Sequence, residues 1–268
     1  MTTTIHPTAV VDPGAQLGQG VHVGPFCIVE KDTVLGDNTW LDAYVQIKAG
    51  TSMGSGNKVY AHTCIGGEPQ HLTFSSEGCR VEIGNNNLIR EFITIHRGTK
   101  ESGGVTRIGS GCMLMAYVHI AHDCILSDTI MLANATMLGG HVHIEHGAIL
   151  GGQSGVHQFV RIGRHSFLGG KGGLPQDLPP YMLAQGCRGT LRGPNLVGLR
   201  RLGLPKETIS AMKAAYKTIW RSGLPRQEAL EQIDTEYGHI EQIKTLLNFI
   251  RSTERGILSG PSDASSCD

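Results

Sequence analysis

The sequence predicts an all-β solenoid, a parallel β-helix of triangular coils, followed by a small α-helical C-terminal domain. Three observations predict it. Aliphatic residues recur at a step of six over most of the stretch from residue 5 to residue 178. Glycine is abundant, at 37, while aromatic residues make up 5% of the chain, which suits many tight corners around a thin aliphatic core. Beyond about residue 195 the spacing of apolar residues changes to threes and fours.

The repeat starts at Ile5 and steps through Val11, Leu17, Val23, Val29, Leu35, Leu41, Ile47, Met53, Val59 and Ile65. It returns at Ile83, Ile89 and Ile95, then runs from Ile108 through Leu114, Ile120, Leu126, Leu132 and Leu138 to Leu174. The residue four past each anchor is mostly small or β-branched, as in Ala9, Ala15, Val21, Cys27 and Thr33. A period of six fits neither a helix at 3.6 nor a lone strand at 2. It fits a short strand, a sharp corner and the next strand. Three sides then close a coil of ~18 residues, and coils stack at ~4.8 Å. Anchors point inward, and Gly, Asn and Asp are expected at the corners, where backbone angles are tight or left-handed. No single coil is stable without its neighbours.

The pattern breaks at 66–80 and at 97–107, and both breaks read as loops projecting from the prism. Loops on a rigid scaffold often carry function, and a tolerated insertion is the other reading. The repeat stops at the LPPY segment ending at Tyr181. Helices are expected from Pro205 to Arg221, from Pro225 to Tyr237, and across Ile240 to Ile250, with prolines at the first two starts. The expected organisation is a β-helix over 1–190, a helical domain over 191–258 and a disordered tail over 259–268. The helical part would cover the last coil's open edge.

Twenty-three basic and 23 acidic residues give no net charge, which argues against a nucleic-acid binder, since that needs a basic surplus. No apolar run reaches the ~18 residues of a membrane span, and no signal peptide is evident in MTTTIHPTAV, so a cytoplasmic protein is expected. Cys27, Cys112 and Cys124 fall at small-residue positions of the repeat and read as buried reduced thiols.

The chemistry is expected at one corner. Ile120 is an anchor, so His122 and Asp123 occupy the following corner and are expected to face solvent. One coil on, the same positions hold Gly140 and His141, and one further, Gln158 and Phe159, with His157 beside them. A neutral imidazole can take a proton from a hydroxyl. An adjoining carboxylate can fix its tautomer and stabilise the imidazolium. A backbone N–H at Gly140 can face a developing oxyanion. No serine accompanies His122 as a nucleophile, and Cys124 points inward, so the substrate must supply one. That suggests acyl transfer to a hydroxyl or an amine. Metal is the competing use of histidines: His141 and His146 have a spacing similar to that of gamma-class carbonic anhydrases, metal-dependent hydratases, but no third histidine stacks with them.

The hexads resemble the hexapeptide-repeat family, whose fold is a left-handed parallel β-helix. Within it, the motifs ITIHRGT (93–99), LMAYVHIAHDC (114–124), GGHV (139–142), GVHQF (155–159) and PPYMLAQG (179–186) resemble the acyl-[acyl-carrier-protein]:UDP-N-acetylglucosamine O-acyltransferases, the first enzymes of lipid A synthesis. The resemblance implies a homotrimer with sites between subunits. It implies that a 3-hydroxyacyl chain passes from acyl carrier protein to the 3-hydroxyl of UDP-N-acetylglucosamine. It implies no cofactor beyond the carrier's phosphopantetheine. It makes His122 the general base, Asp123 its support and Gly140 the oxyanion donor. His119 would line the site, and His141, His157 and Gln158 would bind the sugar nucleotide. Asn195 and Arg201 would reach a nucleotide on a neighbouring subunit, and Gly170 would set a deep acyl groove. In the first loop, His71 stands where the family usually has Asp and Thr73 where Lys is common. Arg188 stands where His is frequent, and Val197 replaces an acidic residue. These departures fall among the acceptor contacts and leave N-acylation of a 3-amino UDP-sugar as an alternative. Arg188, Arg192, Arg200, Arg201 and Arg221 are candidates for a basic strip that docks the acidic carrier.

Overall fold

The computed structural model describes residues 2–71 and 78–261. Two-residue strands recur every six positions, and each pairs in parallel with the strand one coil away: Thr4 with His22, Ile28 with Gln46, Met113 with Met131, and His119 with Met137. The pairing builds three sheets of eleven, nine and eight strands, the sides of a triangular prism. Anchors such as Val23, Leu41, Val59, Ile89, Leu114, Leu132 and Leu150 are fully buried along its axis. Their burial is what fixes the register, since a slip of one residue would turn every anchor outward.

The two breaks lengthen single coils without disturbing the stack. Lys58 pairs with Leu88, and Leu88 with Met113, so the neighbours of the loops keep the register. The second break is shorter than the spacing suggested: strand Val105–Ile108 resumes within it, leaving 97–104 as loop, with a 3-10 turn at Lys100–Ser102.

The corners depart from the expected preference for Gly, Asn and Asp. Asp123 keeps to it with φ of 59°, but Phe26, Tyr44 and His141 have φ of 58°, 59° and 61° and carry rings. A left-handed residue costs roughly 1–2 kcal/mol. Here it gains a backbone bond to the coil before it, as in Tyr44 N to Pro25 O (2.9 Å) and His141 N to His122 O (3.0 Å). It also gains a stacking partner: Phe26, Tyr44, His62, Phe92 and Tyr117 form a ladder with centroids 4.9 to 5.0 Å apart. Each such pair contributes about 0.5–1.5 kcal/mol, enough to offset much of the strain.

After the last full coil the chain turns back. Met182–Gln185 pairs antiparallel with Thr190–Pro194, so sheet structure crosses the boundary expected near residue 190. Four helices follow: α1 (Leu196–Arg201), α2 (Lys206–Arg221), α3 (Arg226–Tyr237) and α4 (Glu241–Arg251). The last three match the expected helices to within a residue or two. Ser259, expected in a disordered tail, accepts a hydrogen bond from Leu191 N (3.0 Å).

Candidate active site

The strand His119–Ile120 ends at the corner between the nine- and eight-stranded sheets. Asp123 takes the left-handed conformation there, and the turn brings its side chain round to that of the preceding residue. His122 Nδ1 lies 2.8 Å from Asp123 Oδ2. The carboxylate accepts, so Nδ1 carries the proton and Nε2 keeps its lone pair. Nε2 is the atom that can act as a base.

The corner is not open to solvent as its position in the repeat suggested: Asp123 is 7% exposed. The 97–104 loop lies over it. Thr99 donates its backbone N–H to Oδ1 (2.9 Å) and its hydroxyl to Oδ2 (2.7 Å), while Asp123 N donates to Thr106 Oγ1 (2.8 Å). A buried carboxylate needs such donors to stay charged, since desolvation otherwise favours its neutral form.

The expected vertical columns are present. Gly140 sits on His122 so closely that a Cβ there would fall 2.6 Å from Cε1 and 2.9 Å from Nε2. His141 meets His122 edge to face at 5.1 Å and stacks on Phe159 at 4.3 Å. The Gly140 N–H is left over by the architecture. The coil ladder uses the amide on either side of it, Gly139 N and His141 N, and Pro7, Pro13 and Pro25 fill the equivalent position elsewhere without loss. At several other corners a neighbouring side chain takes up this N–H, as Asp128 does for Ser110 N (2.7 Å). Among the described residues none does so at Gly140, which leaves a donor beside the base.

A cavity of about 620 Å³ opens on this face. His96, His119, His122 and His157 line its polar side, and Arg188 its far end. Along the floor the outward column of the nine-stranded sheet reads His119, Met137, Gly155, Gly173. Gly155 drops the floor into a trough, while at Gly173 the Cys187 carbonyl stands where a Cβ would be and closes that end. From His119 the open part runs two coil steps, roughly 10 Å. His119 Nδ1 is 2.8 Å from Thr94 Oγ1, and its ring meets His96 edge to face at 4.9 Å. Burial pushes the His96 pKa down to about 4, with the neighbouring His119 and His122 adding to the effect, so His96 is neutral at physiological pH. Burial likewise lowers His119 and His141. Cys124, next to the dyad in sequence, is fully buried and its thiol is pushed up to about 12, so it supplies no thiolate.

His71 joins the site, its ring edge to face with His122 at 5.6 Å. His157 lines the cavity, with Nδ1 3.1 Å from Gln158 O. Gln158 lies at the rim, in the column above Gly140, and is exposed. Thr73 lies outside the described residues. Gly170, Asn195 and Arg201 do not meet His122 within one chain. Gly170 follows Leu168 at a different corner, packed near Gly152 O. Asn195 and Arg201 line a separate cavity of about 420 Å³ with His165 and Val197. There Asn195 caps α1: its Oδ1 accepts from Gly198 N (3.0 Å) and its Nδ2 donates to His165 O (3.0 Å).

The five arginines that were candidates for one basic strip fall into three groups, with Arg200 beside Arg201 in the last turn of α1. Arg188 lies in the trough and Arg201 in the cavity beside α1, while Arg192 and Arg221 share a third, 650 Å³ groove with Lys213 and Lys217. His141 and His146 stand at different prism edges, and His146 meets His165 instead, at 5.3 Å. Among the described residues, the set that could offer ligand atoms to a metal is His122, Asp123 and His141, whose donor atoms all lie within 4.8 Å of one another.

Sequence reasoning missed His96, Thr99, Gly155 and Gly173. The motif ITIHRGT contains the first two. His96 falls one past an anchor, where the repeat gave no reason to look. The two glycines lie exactly eighteen apart on an outward column, a signal that was available.

Comparison with known proteins gives one answer. The family model described as "Udp N-acetylglucosamine O-acyltransferase; Domain 2" matches residues 177–258. The acyl-[acyl-carrier-protein]–UDP-N-acetylglucosamine O-acyltransferase of Sulfurovum sp. (strain NBC37-1) is 45% identical over 95% of this chain and 97% of its own, and that of Anaeromyxobacter sp. (strain Fw109-5) is 40% identical over 94% and 98%. Among solved structures, LpxA from Acinetobacter baumannii superposes with a TM-score of 0.92 at 39% identity, covering 95% of this chain and 99% of that one. The fold is accordingly the left-handed parallel β-helix that these enzymes share. With a histidine–carboxylate pair beside a trough on a prism of this kind, and with that similarity running almost end to end, the chain belongs to the acyl-[acyl-carrier-protein]–UDP-N-acetylglucosamine O-acyltransferase family of acyltransferases.

Proposed function

We propose that this enzyme transfers a 3-hydroxyacyl chain from acyl carrier protein to the 3-hydroxyl of UDP-N-acetylglucosamine, the first step of lipid A biosynthesis. The observation that carries the mechanism is the stack of Gly140 on the His122–Asp123 dyad. His122 Nε2 takes the proton of the sugar hydroxyl as its oxygen attacks the thioester carbonyl carbon. The oxyanion that forms accepts from the Gly140 N–H. The tetrahedral species collapses, the C–S bond breaks, and the departing thiolate takes the proton back from His122. Asp123 stabilises the transient imidazolium and holds the tautomer. The trough over Gly155, with apolar Met137, Val156 and Leu174 around it, takes the acyl chain. His71, His119, His141, His157 and Gln158 surround the acceptor.

The reaction needs no cofactor of the enzyme's own, because the acyl group arrives activated on the carrier's phosphopantetheine. A homotrimer in the cytoplasm is the proposed working state. It supplies what one chain lacks, since Asn195 and Arg201 are set apart from His122 and would serve a neighbour's site. Among the described residues no helix is long and apolar enough to cross a membrane.

The test is an assay with UDP-N-acetylglucosamine and 3-hydroxyacyl carrier proteins of several chain lengths. His122→Ala lowers turnover by about 10²–10⁴-fold, the worth of a general base. Mixed subunits of His122→Ala and Arg201→Ala, each poorly active alone, regain activity. Unchanged turnover in His122→Ala overturns the mechanism. Absence of recovery in the mixed assembly overturns the shared site.

A further inference from the structure

We infer that Thr99 is a positioning residue for the catalytic dyad: it grips both oxygens of Asp123 and so sets the tautomer of His122. The inference rests on the acyl-transfer reading for its kinetic part. Its structural part stands on the loop alone.

A carboxylate held at one oxygen can turn about its Cβ–Cγ bond. One held at both cannot. Thr99 supplies both contacts from a single residue, N–H to Oδ1 at 2.9 Å and hydroxyl to Oδ2 at 2.7 Å. The fork fixes the carboxylate plane with Oδ2 toward His122 Nδ1 at 2.8 Å. Oδ2 is therefore shared by the Thr99 hydroxyl and the His122 ring. Without the hydroxyl, Asp123 loses the contact that aims Oδ2. The neutral imidazole is then free to place its proton on Nε2, where it cannot act as a base.

The loop is built to hold Thr99 still. Thr99 is 4% exposed. Its carbonyl accepts from Gly104 N (2.8 Å) and Ser102 N (3.1 Å), closing the loop on itself. Its neighbour Gly98 leaves no room for a side chain: a Cβ there would fall 2.8 Å from Asp123 Oδ1 and run into the backbone at Gly104 and Val105. Arg97 N and Gly98 N donate to Gly67 O and Arg80 O, tying the loop's start to the coil beneath. The break at 97–104 is thus a clamp on the dyad, which favours for this loop the functional reading over a tolerated insertion.

The test compares Thr99→Val and Thr99→Ala with Thr99→Ser in the full-length protein. Two readouts are taken: steady-state kinetics, and the ¹⁵N chemical shifts of histidine rings, with His122 assigned by its loss in His122→Asn. Thr99→Val and Thr99→Ala lower kcat by about 10- to 100-fold, the usual worth of a group that orients a reacting residue, with KM for the UDP-sugar within twofold. In both, the His122 signals move from the Nδ1–H tautomer to a mixture. Thr99→Ser restores kcat and tautomer together. Wild-type kcat in Thr99→Val, or a kcat loss with His122 still in the Nδ1–H form, overturns the inference. Thr99→Ala adds no apolar group beside the carboxylate and keeps the test open where Thr99→Val does not fold, as melting curves report. Ring shifts are read without substrate, so they test Thr99 even where wild-type enzyme acylates no UDP-sugar, a result that would sink the functional reading alone.

Discussion

The Cα of Gly140 lies against the edge of the His122 ring, and a methyl group there would fall 2.6 Å from Cε1. The spacing of one coil is what presses them together. A glycine at this point is required by the base, not by its own backbone, since the left-handed residue of this corner is its neighbour His141.

Gly140→Ala is therefore expected to push His122 out of line while keeping the Gly140 N–H. Turnover falls by at least about 100-fold, close to the loss in His122→Ala, because a displaced base serves no better than a missing one. The double variant is scarcely worse than either single one. Kinetics of the three variants check this; fully additive losses would contradict it.

Stability should fall on mild acidification, and His96 should account for much of it. Its pKa drops from 6.5 unfolded to about 4 folded. Above 6.5 both states hold it neutral and stability is full. As pH falls from 6.5 toward 4 the unfolded chain takes up a proton that the folded one refuses, and stability is lost, by about 3 kcal/mol at most for this group. Urea unfolding at pH 7 and pH 4.5 measures the loss. His96→Asn shows a smaller difference between the two pH values than wild type.

The trough floor should select acyl length at Gly155. A Cβ built there meets nothing within 4 Å, so a larger residue fits without strain and fills the groove instead. Gly155→Leu is expected to lower kcat/KM for the longest accepted donor by at least about tenfold more than for a donor several carbons shorter, in line with ~0.8 kcal/mol per methylene lost. Competition between two donor lengths in one reaction reads this ratio directly.

Cys124 should prove dispensable. Its sulfur is fully buried against Gly139 O at 3.2 Å, and its thiol stays protonated. Cys124→Ala keeps kcat within about threefold, with a small loss of melting temperature for the vacated space. A large kcat loss would point to a thiol in the chemistry.

How much of this could be read beforehand follows from what each feature depends on. The period of six carried the coil, its register and the columns at His122 and Asp123, because those depend only on residues a fixed number apart. Burial of Asp123 depends on Thr99, twenty-four residues away across a break in the repeat, and nothing periodic connects them. Aromatic residues at left-handed corners go against local preference, since stacking partners one coil off offset much of the strain and lie outside any local pattern. Asn195 shows the reverse case: the family resemblance suggested a ligand contact, and within the chain its amide caps α1. Gly170 and Arg201 lie beyond the reach of His122 in one chain, so no single-chain argument connects them to it.

The stacked coils also make distances along the trough come in steps. A side chain that ends the groove can move up or down only by a whole rung, ~4.8 Å, which is roughly four carbons of an extended chain. A prism of this kind therefore works as a graduated measure, with coarse marks set by which rung carries the stop and fine ones by the size of the residue standing there.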